Sequence, residues 1–185
     1  MLSILSAARD ENDLLRRLTN WLAAQTGADS VDLLRAEPAG SLRLVASTLT
    51  PDLVGRVKLE PGKGIAGEAW KKGTPLWIAE GLQHHPSFVA YPGYEETFFE
   101  GAAVVPLDSD CPVPGVLVLR RYEKWPLQKE TRSEILARVG ELVETVRTFE
   151  HVFNLGQGLS PVVAMNEVTS TITSSPYLEE ILQLL

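Results

Sequence analysis

The sequence predicts an α+β domain, and three observations carry that prediction. Two pairs of strand-like segments, residues 30–36 with 42–47 and residues 102–107 with 113–121, are each joined by turn-forming residues. Amphipathic helical patterns stand at both ends, over residues 10–25 and from Pro126 to about His151. The composition, 44% hydrophobic and 22% charged over 185 residues, is that of a soluble globular chain able to bury a core without disulfides or metal.

Each element has its own signature. In the first helix Leu14, Leu18, Trp21, Leu22 and Gln25 share a face with Leu15 beside them, Asp10 is placed to cap it, and Gly27 supplies a stop. The first two strands are joined by Glu37-Pro38-Ala39-Gly40-Ser41, and in the second Leu42, Leu44 and Ala46 alternate with Arg43, Val45 and Ser47. Residues 56–59 suggest a short third strand before Pro61, residues 64–71 a short helix ended by Gly73, and residues 76–79 a fourth strand. The stretch 80–100 is irregular, broken by Pro86, Pro92 and Gly93 and rich in aromatics, as a functional loop with short helices would be. Two more strands follow around the turn Asp108-Ser109-Asp110-Cys111-Pro112, and the unbroken apolar run Val116-Leu117-Val118-Leu119 predicts a strand covered on both faces.

The last long helix carries a sharper pattern. Ile135, Val139, Leu142, Val146, Phe149 and Phe153 are spaced alternately four and three residues apart, a heptad seam, and Leu136 and Val143 form a second stripe beside it. Two stripes predict a helix that meets a second copy of the chain as well as its own sheet; a single wide core-facing stripe is the plainer alternative. Gly156 and Gly158 break the helix, Ser174-Ser175-Pro176 marks a new helix start, and Leu178, Ile181, Leu182 and Leu185 give it an apolar face like that of Leu14, Leu18 and Trp21. The expected organisation is therefore a domain over 1–153, a partly helical linker over 154–175, and over 176–185 the beginning of a second, similar unit.

Several functional classes are disfavoured. Seventeen basic against 24 acidic residues give a net charge of −7, and no basic run offers nucleic acid a patch. No stretch is long and apolar enough for a bilayer, and the N-terminus lacks the features of a signal peptide, so a cytoplasmic chain without a membrane partner is expected. The single Cys111 follows Asp108 and Asp110, acidic residues that oppose thiolate formation, and His84-His85 has no third ligand at a suitable spacing. Gly62-Lys63-Gly64-Ile65-Ala66-Gly67 matches a dinucleotide-binding pattern, but Pro61 precedes it, the helix after it is short, and no acid stands at the ribose position. Close packing of a short helix is the better reading of those glycines. No catalytic residue, metal site or cofactor is expected.

The order of elements, together with Leu59-Glu60-Pro61-Gly62-Lys63-Gly64-Ile65-Ala66-Gly67-Glu68-Ala69-Trp70, Gly73-Thr74-Pro75-Leu76-Trp77-Ile78, His85-Pro86-Ser87-Phe88, Tyr94-Glu95-Glu96-Thr97-Phe98 and Gly101-Ala102-Ala103-Val104-Val105-Pro106-Leu107, resembles the GAF domains, small-molecule sensory modules of signalling proteins. The likeness covers roughly residues 10–153 and is greatest to the sensory domains of the nitrogen-related phosphotransferase enzyme I and of NifA-type regulators. It implies a central antiparallel sheet of five or six strands, with terminal helices on one face and a loop-covered pocket on the other. It also implies dimers that signal through the terminal helices to an effector domain absent from this chain. Trp77, Phe88, Tyr91, Tyr94 and Phe98 are the expected pocket walls, and the seam from Ile135 to Phe153 is the expected dimer interface. The signatures of the cyclic-nucleotide, bilin and sulfoxide-reductase branches of the family are missing: Cys111 is followed by Pro112, and there is no second thiol. A regulatory homodimer without catalytic activity, binding an unidentified small molecule, is the expected function; a purely structural dimerisation module and, behind it, a sulfoxide-reductase-like enzyme are the alternatives.

Overall fold

The computed structural model describes residues 2–90 and 98–158. Tyr91 and Tyr94, the distal part of the linker and the beginning of the second unit lie outside the described residues. The chain divides into two units, Met1–Val146 and Arg147–Leu185. In the first, six strands form one antiparallel sheet: β1 Ser30–Ala36, β2 Leu42–Ser47, β3 Lys58–Leu59, β4 Leu76–Ile78, β5 Gly101–Leu107 and β6 Gly115–Arg121. Their order across the sheet is β3-β2-β1-β6-β5-β4, so the sheet is open and its two edges are its two shortest strands.

Among the described residues four α-helices accompany it: α1 Leu2–Ala7, α2 Glu11–Thr26, α3 Gly64–Lys72 and α4 Lys129–Gly158. Asp10 caps α2 as its composition suggests, its carboxylate accepting the Asp13 N–H at 2.8 Å. The buried stripe of α2 is Leu14, Leu15, Leu18, Thr19 and Leu22. Trp21 is only half-buried and Gln25 is exposed, so the apolar face is narrower than the sequence pattern suggests. α1 is an element that pattern does not announce. α4 begins at Lys129, three residues after Pro126, and runs past Gly156 into the stretch expected to be linker. His151 consequently stands within the helix and not at its C-terminal end. No helix among the described residues is long and apolar enough to cross a membrane.

Strand alternation sorts the side chains onto two faces. Val31, Leu33 and Arg35 of β1 point one way, with Leu117 and Leu119 of β6 and Ala103 and Val105 of β5 beside them in register. α2 and the α4 stretch up to Val146 cover this face. Arg35 pairs with Glu11 of α2, and the Arg132 guanidinium of α4 lies 5.6 Å from the centre of the Trp77 ring. The opposite face carries Leu34, Leu44, Val104, Val116 and Val118, packed against Ile65, Ala66 and Ala69 of α3. Covered on both sides, Val116, Leu117, Val118 and Leu119 are all fully buried. Between β1 and β2 the pairing skips Val45, a bulge that turns Ala46 to the face of Leu33 and Ser47 to that of Asp32.

The glycine motif has a packing role in this arrangement. A Cβ at Gly67 would lie 2.6 Å from the carbonyl carbon of Gly62, so only glycine lets the first turn of α3 close against the loop that leads into it.

The heptad seam of α4 faces inward. Ile135, Val139, Leu142 and Val146 are 1%, 5%, 1% and 1% exposed within a single chain, so these four are buried inside it and are not available as a dimer interface. Spacings of three and four serve helix-on-sheet packing as well as a coiled coil, which is why the pattern reads either way. Phe149 is half-buried, and the side chain of Phe153 lies outside the described residues.

Candidate functional site

The face that carries α3 is apolar except at one place. Ser30, Asp32, Ser47 and Arg120 are 0%, 0%, 3% and 5% exposed, and register makes them neighbours across β2, β1 and β6: Ser30 opposite Arg120, Asp32 opposite Ser47. Arg120 Nη1 donates to Asp32 Oδ2 at 2.6 Å. A carboxylate or guanidinium alone in such surroundings would be strongly disfavoured, and the pair is held because each charge answers the other. All four residues make further interactions, so none of them stands without a partner. Ser47 Oγ also receives the Thr50 N–H at 3.0 Å, which fixes the turn after β2.

An aromatic stack adjoins this polar island. The Arg120 guanidinium lies 5.6 Å from the centre of the Phe99 ring, and Phe99 stacks on Tyr122 with centroids 4.8 Å apart and planes 7° from parallel. A cation over an aromatic face is attracted by the ring quadrupole, so Phe99 steadies Arg120 alongside Asp32. The connection from β4 to β5 reaches this region from Ala79 onward, with Leu82 fully buried and Phe88 packed on the apolar core. Its start is braced from α3. The Lys72 ammonium and then the Ser87 hydroxyl hold the Glu68 carboxyl below its ordinary range, and His85 Nδ1 accepts the Ser87 N–H at 3.2 Å.

The expected pocket walls divide. Phe88 is on the island's side of the sheet. Trp77 is not: it registers with Ala103 and lies under Arg132 of α4, on the opposite face. Phe98 is 69% exposed. Conversely, the reading of the sequence misses Asp32 and Arg120. Asp32 is the one acid of the strand Ser30–Ala36 and stands between Val31 and Leu33, and an isolated acid there was the available signal. Its partner is 88 positions away, and only the register of β1 with β6 joins them.

Other candidate groups gather no site. Cys111 is 7% exposed in the turn between β5 and β6, its N–H on the Asp108 carbonyl at 3.0 Å. Arg120 is near the far end of β6 from that turn, so thiol and island are not brought together. Among the described residues no group of three or more His, Cys, Asp or Glu could hold a metal ion.

No family model matches the chain, and no curated protein does. Solved structures do. The GAF domain of a phosphoenolpyruvate-protein phosphotransferase from Coxiella burnetii is 22% identical, with a TM-score of 0.67 over 84% of this chain and 96% of that one. The corresponding domain from Acinetobacter is 19% identical, with a TM-score of 0.65 over 83% and 92%. The fold is that of the GAF domains. A free methionine-R-sulfoxide reductase from Neisseria meningitidis, solved with its substrate, is also similar, at 22% identity and a TM-score of 0.58 over 80% of this chain and 81% of that one. Since enzymes share this fold, the expectation that the chain is not an enzyme is withdrawn.

Proposed function

We propose that the chain, with its GAF fold, is a sensory domain of a signalling protein that binds a small polar molecule on the α3 face of its sheet and passes the change to an effector through α4. The observation that carries this reading is the island of Ser30, Asp32, Ser47 and Arg120. A face built only for stability gains nothing from a buried ion pair that apolar residues of similar volume could replace. A pair of opposite charges beside Phe99, at the end of a long connection, is suited to exchanging partners with a charged ligand. The GAF domains of the two phosphotransferases support the regulatory half of the reading.

The test is a thermal-shift screen of small charged and zwitterionic metabolites. At a hundred times its dissociation constant a ligand contributes about 2.7 kcal/mol, a rise in Tm of roughly 5–10 °C for a chain of this size. The rise should vanish in Asp32→Leu/Arg120→Met, which removes both charges together. A metabolite that stabilises both proteins equally would move the site elsewhere. A screen without a stabilising compound, on a chain that still dimerises, would favour the purely structural module.

We further propose that dimerisation uses the outer stripe of α4, where Leu136 is 42% exposed and Val143 half-buried, the seam beside it being spent on the sheet. A second reading is raised by the similarity to the reductases. Thiol-dependent turnover of free methionine sulfoxide, lost in Cys111→Ser, would establish it.

A further inference from the structure

The segment between β6 and α4 does more than connect them. Trp125 is 2% exposed, its N–H donates to the Ala79 carbonyl at 2.8 Å, and its Cβ would stand 2.7 Å from a Cβ at Gly101, so β5 can hold it only with glycine at that position. The Arg121 guanidinium is 5.8 Å from the centre of the Trp125 ring. Lys124 pairs with Glu80. From the first turn of α4, Arg132 Nε donates to the Leu127 carbonyl at 2.6 Å while its guanidinium lies over Trp77. Ala79 and Glu80 are also the first residues of the connection that bears Leu82 and Phe88 on the opposite face. The root of α4 and the start of the connection from β4 to β5 are therefore fastened to one short strand.

We infer that β4 is the element that couples the α3 face to α4, and that Trp77, Ala79, Trp125 and Arg132 form its mechanical linkage. β4 is three residues long and is paired on one side only, with β5, whereas β1, β5 and β6 are each held from both sides. It can shift for the loss of few ladder bonds, and its neighbours cannot. Leu76 and Ile78 face the α3 side and Trp77 the helix side, so a shift driven from one face displaces a side chain on the other. The inference rests on the proposal that α4 carries the output, but it needs no ligand to be tested.

The test is amide hydrogen exchange on the full chain in four forms: wild type, Phe88→Ala, Arg132→Gln and the double variant. Phe88→Ala loosens the loop from the α3 side. It should speed exchange at residues 129–138 by roughly two- to thirtyfold more than in α2, which packs on β1 and β2 away from the linkage. In the Arg132→Gln background the same substitution should add no such excess. Equal acceleration of α2 and α4, an unaffected α4, or the same excess in both backgrounds would overturn the coupling. Should Phe88→Ala not fold, Phe88→Leu keeps the bulk and is read by the same criteria. A failed ligand screen with non-additive exchange would discard sensing and keep the linkage; additive exchange with a stabilising ligand would do the reverse.

Discussion

Asp32 and Arg120 are the residues on which stability and recognition compete most directly. Arg120→Met strands the Asp32 carboxylate at a position with no access to water, and breaking such a pair costs about 3–5 kcal/mol. Asp32→Leu/Arg120→Met removes both charges, and denaturant unfolding should find it within about 1–2 kcal/mol of wild type, or more stable. A double variant as unstable as the single one would mean that the remaining interactions of these residues, and not their charges, hold the sheet together. Neither role could be assigned from sequence. An acid in β1 and a base in β6 announce themselves only as exceptions to an apolar pattern, and strand register decides whether exceptions meet. The aromatic residues misled for a related reason. Trp77 occupies a strand too short to display an alternation, so nothing in Leu76–Ile78 reveals which face it takes.

At the scale of elements, the hairpin of β1 and β2 carries its own acid sensitivity. Glu37 receives Lys58 of β3, Arg43 of β2 and the Ser41 hydroxyl, and these bring its carboxyl from an ordinary 4.5 down to about 2. A carboxyl depressed on folding stabilises the fold above its unfolded value and loses that contribution as pH falls towards the folded one. The midpoint of thermal unfolding should therefore fall between about pH 5 and pH 2 more steeply in wild type than in Glu37→Gln. Parallel acid limbs would show that the three contacts contribute nothing to the folded hairpin. The strands themselves were legible because β-branched and leucine-rich runs bounded by Pro, Gly and Asp punctuation have few other solutions. The direction of α4's seam was not legible. Its four buried residues have the same spacing whether a sheet or a second helix receives them.

For the molecule as a whole, the two stripes of α4 make opposite predictions. Leu142 is 1% exposed, so Leu142→Glu places a carboxylate in the core and should leave unfolded or aggregated protein, with near-ultraviolet circular dichroism lost. Leu136→Glu alters an exposed side chain, should unfold nothing, and should convert the proposed dimers to monomers in light scattering across a concentration series. Folded monomers from Leu142→Glu would reverse the assignment of the two stripes.

The sheet's terminal strands have a consequence for the company this domain can keep. Strands of two and three residues present a visitor with only a handful of amides and carbonyls. Lys58 also places a positive charge on one border, and Trp125 and Lys124 crowd the other. Such borders resist being extended by foreign backbone. Copies of this domain brought close together can then stand shoulder to shoulder without zipping into a common ribbon.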